Sequence, residues 1–230
     1  MRYVSAAGFA LACFAQAGTA LAAPAPQFDP RINAAQEQAI LSGGCFWGMQ
    51  GVFEHVKGVR QVVAGYTGGT AGTAQYETVS TGSTGHVESV QIDFDPRVIS
   101  YGQILQIFVT VAADPTELDY QGPDSGTQYR SEIWYAPSDQ QQKIASAYLA
   151  QLTAAKAFSG PIVVRLDPAR AFYPAEAYHQ NFMALHPDNP YIAYNDIPKL
   201  EALQTQFPQL YKADAALLTG GPGHTLGTEN

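Results

Sequence analysis

Cysteine is nearly absent: the 230 residues hold two, Cys13 and Cys45. So few thiols cannot build a disulfide framework or a thiolate-rich structural zinc site. The five histidines, His55, His86, His179, His186 and His224, form no His-Glu-x-x-His pair. No zinc-hydrolase helix is therefore encoded, and no bound metal or cofactor is expected. Basic residues are also scarce, 12 against 20 acidic ones for a net charge of −8. That balance disfavours nucleic acid or an anionic membrane surface as a partner. Long apolar runs are missing too. The stretch from Ala6 to Ala17 is too short to cross a bilayer, and nothing later approaches the roughly 18 apolar residues a span needs, so no membrane anchor is expected.

That stretch has a different meaning. Met1-Arg2 before it and Thr19-Ala20-Leu21-Ala22-Ala23 after it give the charged start, apolar middle and small-residue end of a secretory signal. Residues 1–22 are read as that signal, cleaved after Ala22, and the product as exported and periplasmic. An acylation site at Leu11-Ala12-Cys13 is disfavoured because the apolar region before it is very short. Cleavage removes Cys13, leaving Cys45 with no internal partner. The proline-marked residues 23–36 read as a flexible leader, 37–212 as one catalytic domain with a sizeable core, and 213–230, ending in Gly220-Gly221-Pro222-Gly223, as a disordered tail.

What is present centres on Gly43-Gly44-Cys45-Phe46-Trp47-Gly48. The short run Ala39-Ile40-Leu41 before it reads as a buried strand, and Phe46, Met49, Val52, Phe53 and Val56 recur at helical spacing up to Gly58. Cys45 then stands where a strand passes into a helix. The helix dipole and its free N–H groups are expected to lower the thiol pKa, the glycines to admit a substrate, and the two aromatics to wall it. The plainer reading is an inert, packed cysteine.

Val59 to Tyr66 reads as a second strand, and the glycine- and threonine-rich loop Gly65 to Ala74 lacks the Gly-Lys-Ser/Thr of a phosphate cradle. Val87 to Phe94 alternates so that Glu88 shares the face of Val90, Ile92 and Phe94. A carboxyl aimed inward is pushed toward its neutral form and can act as an acid. It can equally be a structural carboxylate paired with Arg130, or a strand-end group that reaches water. Ser100 and Gln103 form a capping box for a helix over Ile104, Leu105, Phe108 and Val111. The irregular segment Asp114 to Arg130 has the length of a functional loop. Ser131–Tyr135 and Pro161–Leu166 read as strands, and Ser138 with Gln141 as the cap of a helix to Ala155. Glu176–Leu185 and Pro198–Phe207 read as helices. Alternating elements with short connections point to an α/β (α+β) two-layer sandwich with a mixed sheet.

From the residues alone, three classes of reading compete. Cys45 could serve a cysteine hydrolase with His86 as base and Asp114 or Asp124 as orienter. Phe46 and Trp47 could also grip an apolar ligand in a binding module without catalysis. Metal catalysis is the third class, and the histidine spacing and the single remaining cysteine disfavour it.

A longer set of motifs selects among them. Gly44-Cys45-Phe46-Trp47-Gly48 is followed in order by Gly65-Tyr66-Thr67-Gly68-Gly69, Tyr76-Glu77-Thr78-Val79, Gly85-His86-Val87-Glu88, Asp95-Pro96 and Gly126-Thr127-Gln128-Tyr129-Arg130-Ser131. This series resembles the A-type peptide methionine sulfoxide reductases over about residues 38 to 210. The resemblance implies a ferredoxin-like core with long loops and thiol-dependent reduction of methionine S-sulfoxide, free or in proteins, in a monomer. It implies that Cys45 attacks the sulfoxide and becomes a sulfenic acid, while Glu88, Tyr76 and Tyr129 bond and protonate the oxygen. Phe46 and Trp47 would hold the substrate methyl group and Asp124 would position the substrate. Two positions depart from the family pattern: Ala113 stands before Asp114-Pro115 where many relatives have histidine, and no cysteine follows Cys45. Recycling therefore needs an external thiol, thioredoxin-, glutaredoxin- or glutathione-like.

Overall fold

The computed structural model describes residues 22–136 and 139–219. Most of the segment read as a signal, the Ser138 read as a helix cap and the end of the tail lie outside the described residues. The domain opens with β1 (Glu37–Ser42), α1 (Phe46–Glu54) and β2 (Val59–Thr67), then α2 (Tyr76–Val79), β3 (Val87–Phe94) and α3 (Tyr101–Ile107). A small hairpin of β4 (Tyr120–Gln121) and β5 (Asp124–Ser125) leads to β6 (Glu132–Tyr135) and α4 (Asp139–Ala154). β7 (Arg165–Pro168), β8 (Phe172–Pro174), α5 (Phe182–Leu185) and α6 (Ile197–Gln206) complete it.

The six-stranded sheet runs β7-β6-β1-β3-β2-β8. β3 is antiparallel to both β1 and β2, so these two are parallel with a gap between them that β3 fills. β6 is antiparallel to β1, and the parallel β7 makes the sheet mixed. The inner four strands with α1 and α3 are the ferredoxin-like arrangement, a split β-α-β unit. Period-two alternation divides the faces. Leu41, Val62, Ala64, Val90 and Ile92 join Met49, Phe53 and Leu105 in the main core under the helices, while Ile40, Val87 and Trp134 cluster on the other side. The capping box forms as expected: Ser100 Oγ accepts the Gln103 N–H at 3.2 Å and Gln103 Oε1 accepts the Ser100 N–H at 3.0 Å.

The C-terminal third differs from the sequence reading. β7 begins only at Arg165, and β8 was not anticipated. The helix expected over residues 176–185 is split into a 3-10 turn, Ala177–His179, and α5. Gln180 causes the break, since its side-chain amide bonds both the N–H and the C=O of Ala64 at 3.0 and 2.9 Å, extending the β2 edge past β8. Asn181 then takes φ 55°. The leader, which lacks periodicity, is nonetheless laid across α3 and α4. The Ala23 N–H donates to Thr110 Oγ1 at 3.2 Å, Tyr148 donates to the Pro24 carbonyl at 2.9 Å, and Asp29 accepts the Gly102 N–H at 3.0 Å. The start of the tail is tied as well, through Ala216 N–H to the Glu54 carbonyl at 2.8 Å.

Candidate active site

Cys45 is the residue that caps α1, with φ −57° and ψ 125°. Gly44 before it has φ +83°, a conformation that side chains rarely adopt, and its N–H donates to the Tyr129 carbonyl at 3.1 Å. A Cβ on Gly44 would lie 2.6 Å from Gln121 Cβ, and one on Gly43 would lie 2.6 Å from Ala113 Cβ. The glycine pair thus makes room for the protein's own loops, which close over the cysteine, rather than chiefly for a substrate.

Glu88 is where its strand parity puts it, 3% exposed beneath the start of α1. Its Oε2 accepts the Phe46 N–H at 3.0 Å, the donor next in sequence to Cys45. Arg130 does not pair with it, because Arg130 Nε is bonded to Glu132 at 2.7 Å. Burial raises the Glu88 pKa to about 8; the Phe46 N–H pulls it down and Asp124 pushes it up. The carboxyl is therefore neutral at pH 7 and has a proton to give. Half-buried Tyr76 and Tyr129 have their pKa raised by burial and by Glu88, so both remain hydroxyl donors.

The thiol departs from expectation. Burial, then Glu88 and Asp196, push Cys45 well above its ordinary value, against which the Trp47 N–H is a smaller opposing effect. Helix-start stabilisation is outweighed chiefly by burial, with the nearby carboxyl groups adding to it.

The aromatic wall is built by long-range packing. Trp47 stacks on Phe182 with ring centroids 3.8 Å apart and planes 10° from parallel. Its Nε1–H donates to His179 Nδ1 at 3.0 Å, and Tyr191 stands edge-on at 5.9 Å. Phe46 is 1% exposed against Tyr66 and His179, so Trp47 offers the open aromatic surface. Asp124 accepts the Tyr191 hydroxyl. Glu176 accepts the Tyr66 hydroxyl and the Tyr76 N–H, both at 2.9 Å, fixing the start of α2. Sequence reasoning missed Glu176, His179, Phe182, Tyr191 and Asp196. The i, i+3, i+6 spacing of Glu176, His179 and Phe182 was a usable signal; Tyr191 and Asp196 carried none.

The hydrolase arrangement is not formed. His86 is buried with Nε2 2.9 Å from the Thr70 carbonyl and Nδ1 accepting the Gly69 N–H at 3.3 Å. Asp114 accepts from Thr116. Both ring nitrogens of His86 are thus occupied away from Cys45. The cysteine instead borders a cavity of about 460 Å³ that Asp124, Tyr191, Asn195 and Lys199 also line.

The sequence matches the family model described as peptide methionine sulfoxide reductase over residues 37–211. It is 53% identical over 190 residues to peptide methionine sulfoxide reductase MsrA 2 of Mesorhizobium japonicum, covering 83% of this chain and 97% of that one. A relative with the same designation from Synechocystis is 41% identical over 179 residues, 78% of this chain and 83% of that one. Among solved structures, methionine sulfoxide reductase A of Corynebacterium diphtheriae superposes with a TM-score of 0.57 and 31% identity over 69% of this chain and 78% of that one. The reduced form of Mxr1 from Saccharomyces cerevisiae gives 0.61 and 26% over 71% and 92%.

Proposed function

Because the chain belongs to the A-type peptide methionine sulfoxide reductases, thiol-dependent enzymes that reduce methionine sulfoxide, we propose that Cys45 is the nucleophile and Glu88 its proton donor. The observation that carries this is the buried Glu88 carboxyl held 3.0 Å from the Phe46 N–H, at the start of the helix that Cys45 caps. Cys45 sulfur attacks the sulfoxide, the substrate S–O bond breaks, methionine leaves, and Cys45 keeps the oxygen as a sulfenic acid. Protons balance without uptake from solvent, since the thiol hydrogen replaces the one that Glu88 supplies to the oxygen. Tyr76 and Tyr129 hydrogen-bond the oxygen as negative charge grows on it. Trp47, backed by Phe182, receives the methyl group, with Phe46 beneath it. Asp124, held by Tyr191, orients the substrate.

The substrate is the S epimer, free or in proteins. The family relation supports that choice. The reductant is an external thiol of thioredoxin, glutaredoxin or glutathione type, because no cysteine follows Cys45. The N-terminal leader pattern supports export to the periplasm, with repair of oxidised exported proteins as the role and a monomer as the working form. Epimer-resolved chromatography after incubation with a dithiol tests the reading. Loss of the S epimer alone is expected; loss of neither epimer, or of R alone, contradicts it.

A further inference from the structure

The cavity beside Cys45 shares only Cys45, Asp124 and Tyr191 with the proposed sulfoxide site. Glu88, Tyr76, Tyr129, Phe46 and Trp47 do not line it; Cys45, Asp124 and Tyr191 do. Its remaining walls come from residues 109–115, the segment from Glu117 to Pro123, Phe158, and the helical residues Asn195 and Lys199. The cysteine therefore has two distinct flanks. On one, Glu88 and the tyrosines attend the oxygen. On the other lies a space of about 460 Å³, within the range of small-ligand pockets.

Displacement at a divalent sulfur proceeds in line: the incoming sulfur approaches opposite the bond that breaks. An oxygen left on Cys45 by the sulfoxide sits on the Glu88 flank, where it was protonated. A thiol that displaces it must come from the other side. Among the described residues Cys45 is the only cysteine, so in this reading the space admits a thiol from another molecule.

Its charge selects which. Asp114, Glu117 and Asp124 line the cavity against one cation, Lys199, and that ammonium lies 3.6 Å from the buried carboxylate of Asp196. Asp114 is exposed and Glu117 half-exposed, so both present charge to an entering molecule.

We propose that this cavity is the subsite for the resolving thiol and that it favours a small cationic aminothiol over a neutral or anionic one. The proposal rests on the sulfenic-acid reading above. The thiolate attacks the Cys45 sulfenic sulfur, an S–S bond forms, the S–O bond breaks, and the oxygen leaves as water with a proton returned through Glu88. A second thiol then cleaves the mixed disulfide, restoring the Cys45 thiol and releasing the oxidised disulfide.

The test separates the two readings. One turnover with methionine S-sulfoxide in the absence of thiol is followed by intact mass, and the oxidised protein is then mixed with cysteamine, mercaptoethanol or mercaptoethanesulfonate. Failure to gain an oxygen on Cys45 defeats the sulfenic-acid reading itself. If the oxygen is gained, the cysteamine-to-sulfonate rate ratio is compared between the wild type and a double variant, Asp114→Asn with Glu117→Gln. These amides keep the acceptors for the Thr116 and Gly122 N–H groups. Intrinsic thiol reactivity cancels in that comparison. The ratio is expected to fall about five-fold in the variant, and to shrink in the wild type as salt is raised. An unchanged ratio overturns the subsite. So does a variant whose defect lies in the first turnover of charged sulfoxide peptides, which makes the cavity a substrate subsite instead.

Discussion

Replacing Glu88 with glutamine separates the chemical role of the carboxyl from its structural cost. The amide keeps an acceptor for the Phe46 N–H, now 3.0 Å from Glu88 Oε2, but cannot deliver a proton. General acids contribute roughly 10²–10⁴-fold, so single-turnover release of methionine should slow by about that factor with little change in substrate affinity. Stability should move the opposite way. The folded-state pKa is raised from the ordinary 4.5 to about 8, so between those values the folded chain holds a proton that the unfolded chain has lost. Stability then falls as pH rises through that window and levels above it. The full interval corresponds to a ceiling on the order of 5 kcal/mol. Glu88→Gln should remove this loss, leaving the variant similar to wild type near about pH 5 and more stable near about pH 9. Stopped single-turnover assays and denaturant melts at the two pH values read both effects. An unchanged chemical step, or a wild-type pH slope retained by the variant, refutes the reasoning.

Other substitutions follow from particular contacts. Phe182→Ala removes the ring stacked 3.8 Å from Trp47; it should raise KM several-fold with a smaller effect on kcat, the stack being worth about 1 kcal/mol, as steady-state kinetics would show. A Cβ on Gly48 would run into Asp196 Oδ1, whereas one on Gly72 meets nothing within 4 Å. Gly48→Ala should cost about 1–3 kcal/mol or more in a thermal melt and depress activity, while Gly72→Ala should stay within about 1 kcal/mol of wild type. Glu54 is fully buried, neither oxygen has a hydrogen-bond partner among the described residues, and burial raises its pKa to about 8 against the opposing Lys212. Glu54→Gln should flatten the decline of stability between about pH 5 and about pH 8 without altering turnover.

β3 and its inward carboxyl were legible because period-two alternation is a local signal that burial on one sheet face enforces, and β1 and β2 because their apolar runs are local too. β1, β2 and β3 and the capping box at Ser100 stand where the sequence puts them. Cys45 at the start of a helix was legible from another local signal, the helical spacing of Phe46, Met49, Val52, Phe53 and Val56. Its raised pKa was not, because that depends first on burial by the folded chain and then on Glu88 and Asp196, 43 and 151 positions away in the chain. The helix expected over residues 176–185 failed through one side chain. Gln180 finds better partners at the β2 edge than helix continuation offers, and no local preference records that. Phe182 and Tyr191 entered the site by the same return of the chain, across more than 130 residues from Trp47.

The central claim is that one cysteine performs the reduction and waits for an outside thiol. Intact-mass analysis of the leader-free protein after incubation with methionine S-sulfoxide and no reductant tests it most directly. The account predicts about one methionine released per site, after which the reaction stops with one extra oxygen on Cys45. Continued turnover without thiol, or an oxygen that maps elsewhere while methionine is still formed, would contradict it.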